Sequence, residues 1–231
     1  MTRSLGDRCL YLCVPLRRDL LAFVDATVRG GVDIVQLRAK DAPDGLVLRA
    51  ARDLARLLAR RGVPFIVNDR PDIALASDAD GVHVGQDDLD VGTVRSLVGP
   101  DRIVGLSTHA PAEFNAASPL ADYLSVGPVE PTPTKPGRPG TGRSYVAFAH
   151  RAAEARPRFI TGNVTAQAIP ALVAAGARRF VVVRALTEAP DPRQAAHDLR
   201  AAIELAREQP SWGTPGAATL THNRRSSTPV L

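Results

Sequence analysis

At 231 residues the chain is long enough for one large domain with a proper core, or for two small ones. Its 45% hydrophobic and 23% charged residues are ordinary for a globular protein, and no apolar run reaches the length of a membrane span. The formal charge of +5 is no nucleic-acid footprint. Arg224 and Arg225 belong to a tail without acidic residues, and Arg56, Arg60 and Arg61 decorate a Leu/Ala helix with no aromatics to stack bases. Cys9 and Cys13 stand four residues apart in a strand-like run, about 13 Å of extended chain, too far for a disulfide between them. With no signal-peptide pattern, the expectation is a cytoplasmic protein with buried, reduced thiols and neither membrane nor nucleic-acid partners.

In chain order, short β-branched runs recur as CLYLCV, VDIVQLR, PFIVN, DGVHVG, RIVGLS, DYLSVG, RFITG and RRFVVV. Between them lie Ala-, Leu- and Arg-rich segments with helical spacing, at 44–60, 91–97, 144–155 and 165–175, and a last helix at 192–208. Eight strands alternating with helices predict a parallel sheet, either a closed (β/α)8 TIM barrel or an open doubly wound sheet. Equal units without a long insertion favour a single (β/α)8 barrel over residues 1–209. The segment 210–231 is rich in turn formers and has no periodicity, so it reads as a disordered tail.

A barrel should gather its chemistry where strands end. Gln36, Arg38 and Lys40, spaced by two after strand 2, point to one side of an extended chain and suit a polyanion, while Leu37 and Ala39 face away. Asn68 and Asp69 follow strand 3, and Gln86, Asp87 and Asp88 follow strand 4. Two carboxylates on adjacent rim positions suit Mg²⁺, with Asp69 and Asp88 as ligands and Asp87 an alternative to Asp88; the plainer explanation is helix capping. Ser107 ends strand 5. After strand 6, Thr132, Thr134 and Lys135 sit in a Pro/Gly-rich loop that suits an anion and can act as a lid. All but two of the 29 basic residues are Arg, so Lys40 and Lys135 hint at sites that need a compact ammonium. Gly162, ending strand 7, permits a close backbone approach. His83 lies within strand 4 and reads as a core histidine; the remaining histidines show no zinc spacing.

The segments QLRAK, ND, DGVHVGQDDL, GLST, ADYLSVGPVEPTPTK and TGNV, in this order and spacing, resemble the thiamine-phosphate synthase (thiamine-phosphate pyrophosphorylase) family from strand 2 through strand 8. The resemblance implies a barrel that joins 4-amino-2-methyl-5-(hydroxymethyl)pyrimidine diphosphate to 5-(2-hydroxyethyl)-4-methylthiazole phosphate, or its carboxylated form. The products are thiamine phosphate and diphosphate. It further implies that Gln36, Leu37, Arg38, Ala39, Lys40, Asn68, Ser107 and Lys135 hold the pyrimidine diphosphate. Arg38, Lys40, Ser107 and Lys135 would assist departure of the diphosphate, and Asp69 and Asp88 would hold Mg²⁺. The thiazole phosphate would sit against Thr132, Pro133, Thr134, Gly162, Val183 and Arg184. The reaction so implied is dissociative: diphosphate leaves first and the thiazole nitrogen traps the pyrimidine methylene cation. Two positions depart from the family pattern, Gly162-Asn163-Val164 where Gly-Gly-Ile is frequent, and Arg184 where Ser is. A thiazole tautomerase of the same fold is the nearest competitor, but that branch is expected to carry a His where this chain has Pro128. A non-catalytic protein binding thiamine precursors is the other. The expected partners are small-molecule substrates, and a homo-oligomer is left open.

Overall fold

The computed structural model describes residues 5–132, 137 and 139–208. The expectation of a disordered tail, and those for Pro133, Thr134 and Lys135, lie outside the described residues.

The eight strands are β1 (Leu10–Val14), β2 (Ile34–Leu37), β3 (Phe65–Asn68), β4 (Gly81–Val84), β5 (Ile103–Thr108), β6 (Tyr123–Val126), β7 (Arg158–Ile160) and β8 (Arg179–Val182). Each pairs in parallel with the next, and β8 returns to β1 through Leu10 opposite Phe180, closing a barrel in sequence order. The helices are α1 (Leu20–Arg29), α2 (Asp44–Arg61), α3 (Pro71–Ser77), α4 (Val91–Val98), α5 (Pro111–Asn115), α6 (Gly142–Arg151), α7 (Ile169–Ala174), α8 (Arg184–Thr187) and α9 (Pro192–Arg207). This is the expected (β/α)8 TIM barrel.

Alternation along each strand sorts the side chains into two cores. Leu10, Leu12, Val35, Leu37, Val67, Val82, Val104, Leu124 and Phe180 point outward and are buried against the helices. Tyr11, Ile34, Ile66, Ile103, Tyr123 and Phe159 point inward and form a separate cluster, the lower plug of the barrel. Tyr11, Tyr123 and Phe159 meet edge to face with centroids 5.3–6.1 Å apart. Such pairs add about 0.5–1.5 kcal/mol beyond burial. The plug needs Gly105: a Cβ there would lie 2.1 Å from the Tyr123 ring, so only glycine lets that side chain cross the barrel.

Two helices differ from their expected spans. The one expected at 165–175 starts only at Ile169, because Pro170 fits its first turn and cannot accept a full turn before it. Thr165 Oγ1 instead accepts from Ala168 N in a turn. The one expected at 144–155 ends at Arg151, where Ala152 becomes extended to lead into β7. Among the described residues no helix is long and apolar enough to cross a membrane.

Candidate active site

Above the aromatic plug the inward positions turn polar, and a cavity of about 320 Å³ opens at the carboxyl ends of the strands. That volume lies within the range of small-molecule sites. Gln36, Arg38, Lys40, Asn68, Asp69, Asp87, Asp88, Ser107, Thr132, Gly162, Val183 and Arg184 all line it, so residues scattered over 149 positions of the sequence converge on one mouth. Leu37 and Ala39 do not line it, since their side chains pack into the helix-facing core, leaving only their backbone for a ligand.

The carboxylates carry the clearest electrostatic signature. Lys40 Nζ lies 2.6 Å from Asp69 Oδ2. Burial raises the Asp69 pKa, opposed by Lys40 and reinforced by the neighbouring Asp88 carboxyl. For Asp88 burial also favours the neutral form, but the hydrogen bonds from Asp69 and the Gly85 amide, with the nearby Lys40 ammonium, prevail and lower it. Opposite shifts in adjacent carboxyls mark two acids sharing one site. The capping explanation is overturned: the N-cap of α3 is Arg70, and that of α4 is Asp90, whose side chain accepts from Thr93 N. Asp88 Oδ2 accepts instead from Gly85 N at 2.8 Å, and Asp69 stands in the left-handed region at φ 62°. Both carboxylates are therefore held at the rim for something other than a helix end.

Gly162 is crowded by its own fold. A Cβ would meet Val129 N at 2.4 Å and Pro128 Cα at 2.7 Å, and φ is +103°. The tight approach expected there is made first by the loop after β6, pinned by the bond from Val129 N to Thr161 O. Across the mouth, Arg184 donates to Asn163 Oδ1 at 3.1 Å and Asn163 Nδ2 donates to Glu130 Oε2 at 2.6 Å. The two positions that depart from the family pattern are thus joined to each other and tie three loops together.

Several lining residues escaped the sequence. Tyr11, Cys13, His83, Tyr123 and Ser125 form the cavity floor, and His109 its wall. His109 Nδ1 is 2.6 Å from the Gly127 carbonyl oxygen, which makes that nitrogen the donor. His83 is buried, as a core histidine would be, but it faces the cavity. The strand parity of YLC and YLS was the available signal; it needed the register to become a site.

A family model for thiamine monophosphate synthase matches residues 10–186. The chain belongs to the thiamine monophosphate synthase family. It is 48% identical over 211 residues to the thiamine-phosphate synthase of Acidothermus cellulolyticus, covering 89% of this chain and 100% of that one. A thiamine-phosphate synthase of Mycobacterium tuberculosis is 48% identical over 217 residues, covering 87% and 97%. Among solved structures, a thiamine phosphate pyrophosphorylase from Pyrococcus furiosus superposes with a TM-score of 0.78 at 27% identity, covering 87% of this chain and 98% of that one. As a member of this family the chain is an enzyme, a transferase.

Proposed function

We propose that the cavity joins the pyrimidine diphosphate to the thiazole phosphate, releasing thiamine phosphate and diphosphate. The observation that carries this reading is the meeting, at one barrel mouth, of Arg38 and Lys40 with the Asp69/Asp88 pair above a polar floor. A departing diphosphate needs cations, and an aminopyrimidine needs a slot with donors and acceptors.

The division of labour follows from position. Gln36 is buried in the cavity floor and Asn68 lines the same cavity, and they are assigned the ring end of the pyrimidine diphosphate; Arg38, Lys40 and Ser107 are assigned its phosphates. Lys135 is assigned to the same leaving group on sequence grounds. As the bond between the methylene carbon and the diphosphate oxygen breaks, the electron pair leaves with oxygen, and these donors stabilise the growing charge. The thiazole nitrogen then forms the new bond to the methylene carbon. No general base is required, since no proton is removed in forming the new bond. Thr132, Gly162, Val183 and Arg184, with Pro133 and Thr134, would face the thiazole phosphate; Arg184 is oriented there by Asn163 and Glu130.

Asp69 and Asp88 fit Mg²⁺. Among the described residues no group of three or more His, Cys, Asp or Glu is placed to enclose a metal. Mg²⁺ commonly takes one or two carboxylates and completes its shell with water and substrate phosphate, and a shared proton between two acids is what a cation would replace. When bound, it would neutralise charge on the diphosphate. The buried thiols of Cys9 and Cys13 are in keeping with a reducing cytoplasm.

Incubation with both substrates and Mg²⁺ should yield thiamine phosphate and diphosphate in equal amounts. EDTA should abolish the yield and Mg²⁺ restore it. Binding without diphosphate release would overturn the reading, as would isomerisation of a thiazole phosphate alone.

A further inference from the structure

The floor of the cavity carries a continuous line of hydrogen bonds through seven side chains from five strands. Cys13 Sγ donates to Gln36 Oε1 at 3.3 Å, and Gln36 Nε2 donates to Tyr11 Oη at 2.8 Å. Tyr11 Oη is 2.9 Å from Tyr123 Oη, and Tyr123 Oη is 2.9 Å from His83 Nδ1. His83 Nε2 is 2.9 Å from Ser107 Oγ, which also accepts from Ser125 Oγ at 3.3 Å. All seven side chains are buried.

Hydroxyls and imidazoles can each donate or accept, so the line has two polarities and must invert as a unit. The Gln36 amide decides. Its oxygen faces the thiol, a weak donor and a still weaker acceptor, so its nitrogen faces Tyr11. Tyr11, already accepting, gives its hydrogen to Tyr123, and Tyr123 gives its own to His83 Nδ1. The imidazole proton therefore sits on Nε2 and is donated to Ser107. With two bonds accepted, Ser107 has its own hydrogen to offer, and the open side of Ser107 is the cavity. In the opposite polarity Ser107 would give its hydrogen to His83 and present lone pairs to the ligand, which a polyanion would repel.

We propose that this line fixes Ser107 as a hydrogen-bond donor into the cavity, with Tyr123 and His83 as positioning residues that act through it. That Ser107 then donates to the departing diphosphate rests on the proposed reaction; the polarity of the line does not. A donor set before the reaction starts stabilises charge that develops only in the transition state, so its loss reads in kcat more than in KM.

The tautomer of His83 tests the proposal on the ligand-free chain. Imidazole ¹⁵N chemical shifts, assigned by comparison with His83→Gln, should show the proton on Nε2. In Tyr123→Phe, which keeps the ring of the plug, Nδ1 loses its donor and the spectrum should show a mixture of tautomers. The same variant should lower kcat about tenfold with the substrate KM values unchanged. In a Ser107→Ala background Tyr123→Phe should cost nothing further, since residues acting through one group do not add. A wild-type His83 protonated on Nδ1 would overturn the proposal without any variant. So would a full, additive loss from Tyr123→Phe in the Ser107→Ala background. A wild-type chain that releases no diphosphate overturns the proposed reaction alone.

Discussion

The two ends of the barrel use the same residue type for opposite ends. At the amino ends, carboxylates hold backbone. Asp33 accepts from the amides of Cys9 and Leu10 and from Arg200 Nη1 at 2.8 Å. Asp122 accepts from Val104 N and from Arg95, and Asp80 accepts from Phe65 N. Each is placed where a strand begins, satisfying an amide the sheet does not reach. At the carboxyl ends, Asp69 and Asp88 are set against each other beside one lysine, which pushes the proton affinity of Asp69 up while that of Asp88 falls. Base carboxylates are partnered by backbone amides and arginines; Asp69 and Asp88, bonded to Lys40 and to the Gly85 amide, also face each other at an open cavity.

The largest test of this contrast is at the rim. Asp69→Asn and Asp88→Asn should each lower turnover at least about a hundredfold, near 2.7 kcal/mol of transition-state stabilisation, with a melting temperature equal to or above that of the parent. Relief of two crowded acids offsets the loss of the Lys40 pair, whose lysine is already half exposed. Steady-state kinetics beside thermal melts decides it. An Asp69→Asn chain that melts much earlier while turning over normally would reverse the contrast.

At the base the converse is expected. Asp33→Ala strands two amides and a guanidinium, a loss of about 2–3 kcal/mol. That corresponds to a fall of roughly 5–10 °C in a chain of this size. Turnover per folded molecule at 25 °C should stay within about twofold, because Asp33 lies at the far end of the barrel from the cavity. Lost turnover without lost stability would mean the two ends are coupled.

The lysine bias gives a smaller and sharper test. Lys135 lies outside the described residues, so the expectation rests on its setting in the sequence. A departing diphosphate suits a compact, rotatable ammonium, and a planar guanidinium is a poor substitute. Lys135→Arg should lower turnover about tenfold and leave the fold intact. Arg56→Lys, on an exposed helix face, should be silent. Equal turnover in the Lys135→Arg chain would reduce the lysine to chance.

How far the sequence reached depended on the range of the information. The eight strands were legible because each is a short β-branched run, and α2 and α9 because they are long enough for periodicity to show. The five- and seven-residue helices α5 and α3 were not, since less than two turns carries no reliable period. Rim residues were legible because they follow strands: Arg38, Asp69 and Asp88 need only their own segment to be placed. The floor was not. Ser107 meets Ser125 because β5 and β6 align those two residues, and His83 meets Tyr123 across the width of β5 because Gly105 vacates the space between. Neither relation exists before the register does. The cap of α4 was out of reach for the same reason in miniature: Asp87, Asp88 and Asp90 all precede α4, and only the backbone geometry selects Asp90.

The smallest expected effect lies at the base and is a matter of pH. Glu154, in the turn between α6 and β7, binds Arg156 through both its side chain and its backbone amide. The Arg156 guanidinium first, and the amide second, hold the Glu154 pKa at about 2, against an ordinary 4.5. Arg156 in turn donates to the Ser118 and Ala121 carbonyls, so the pair ties this turn to the approach of β6. A carboxyl whose pKa is depressed by folding stabilises the fold above its unfolded value and loses that contribution as pH falls through its folded value. Glu154→Gln should therefore lower the urea midpoint slightly at pH 7, by a surface-pair amount of less than about 1 kcal/mol. At pH 3 the gap to the parent should be narrower, and raising the salt at pH 7 should narrow it too. Asp69 at the rim should behave otherwise: its raised pKa means its proton-bound form favours the fold at low pH, and this is lost as pH rises. Urea titrations of Glu154→Gln and Asp69→Asn at pH 3 and pH 7 would place the two ends on opposite slopes. A Glu154→Gln gap that widens toward pH 3 would show that its carboxyl is not held ionised by Arg156, and the contrast between the ends would lose its electrostatic basis there.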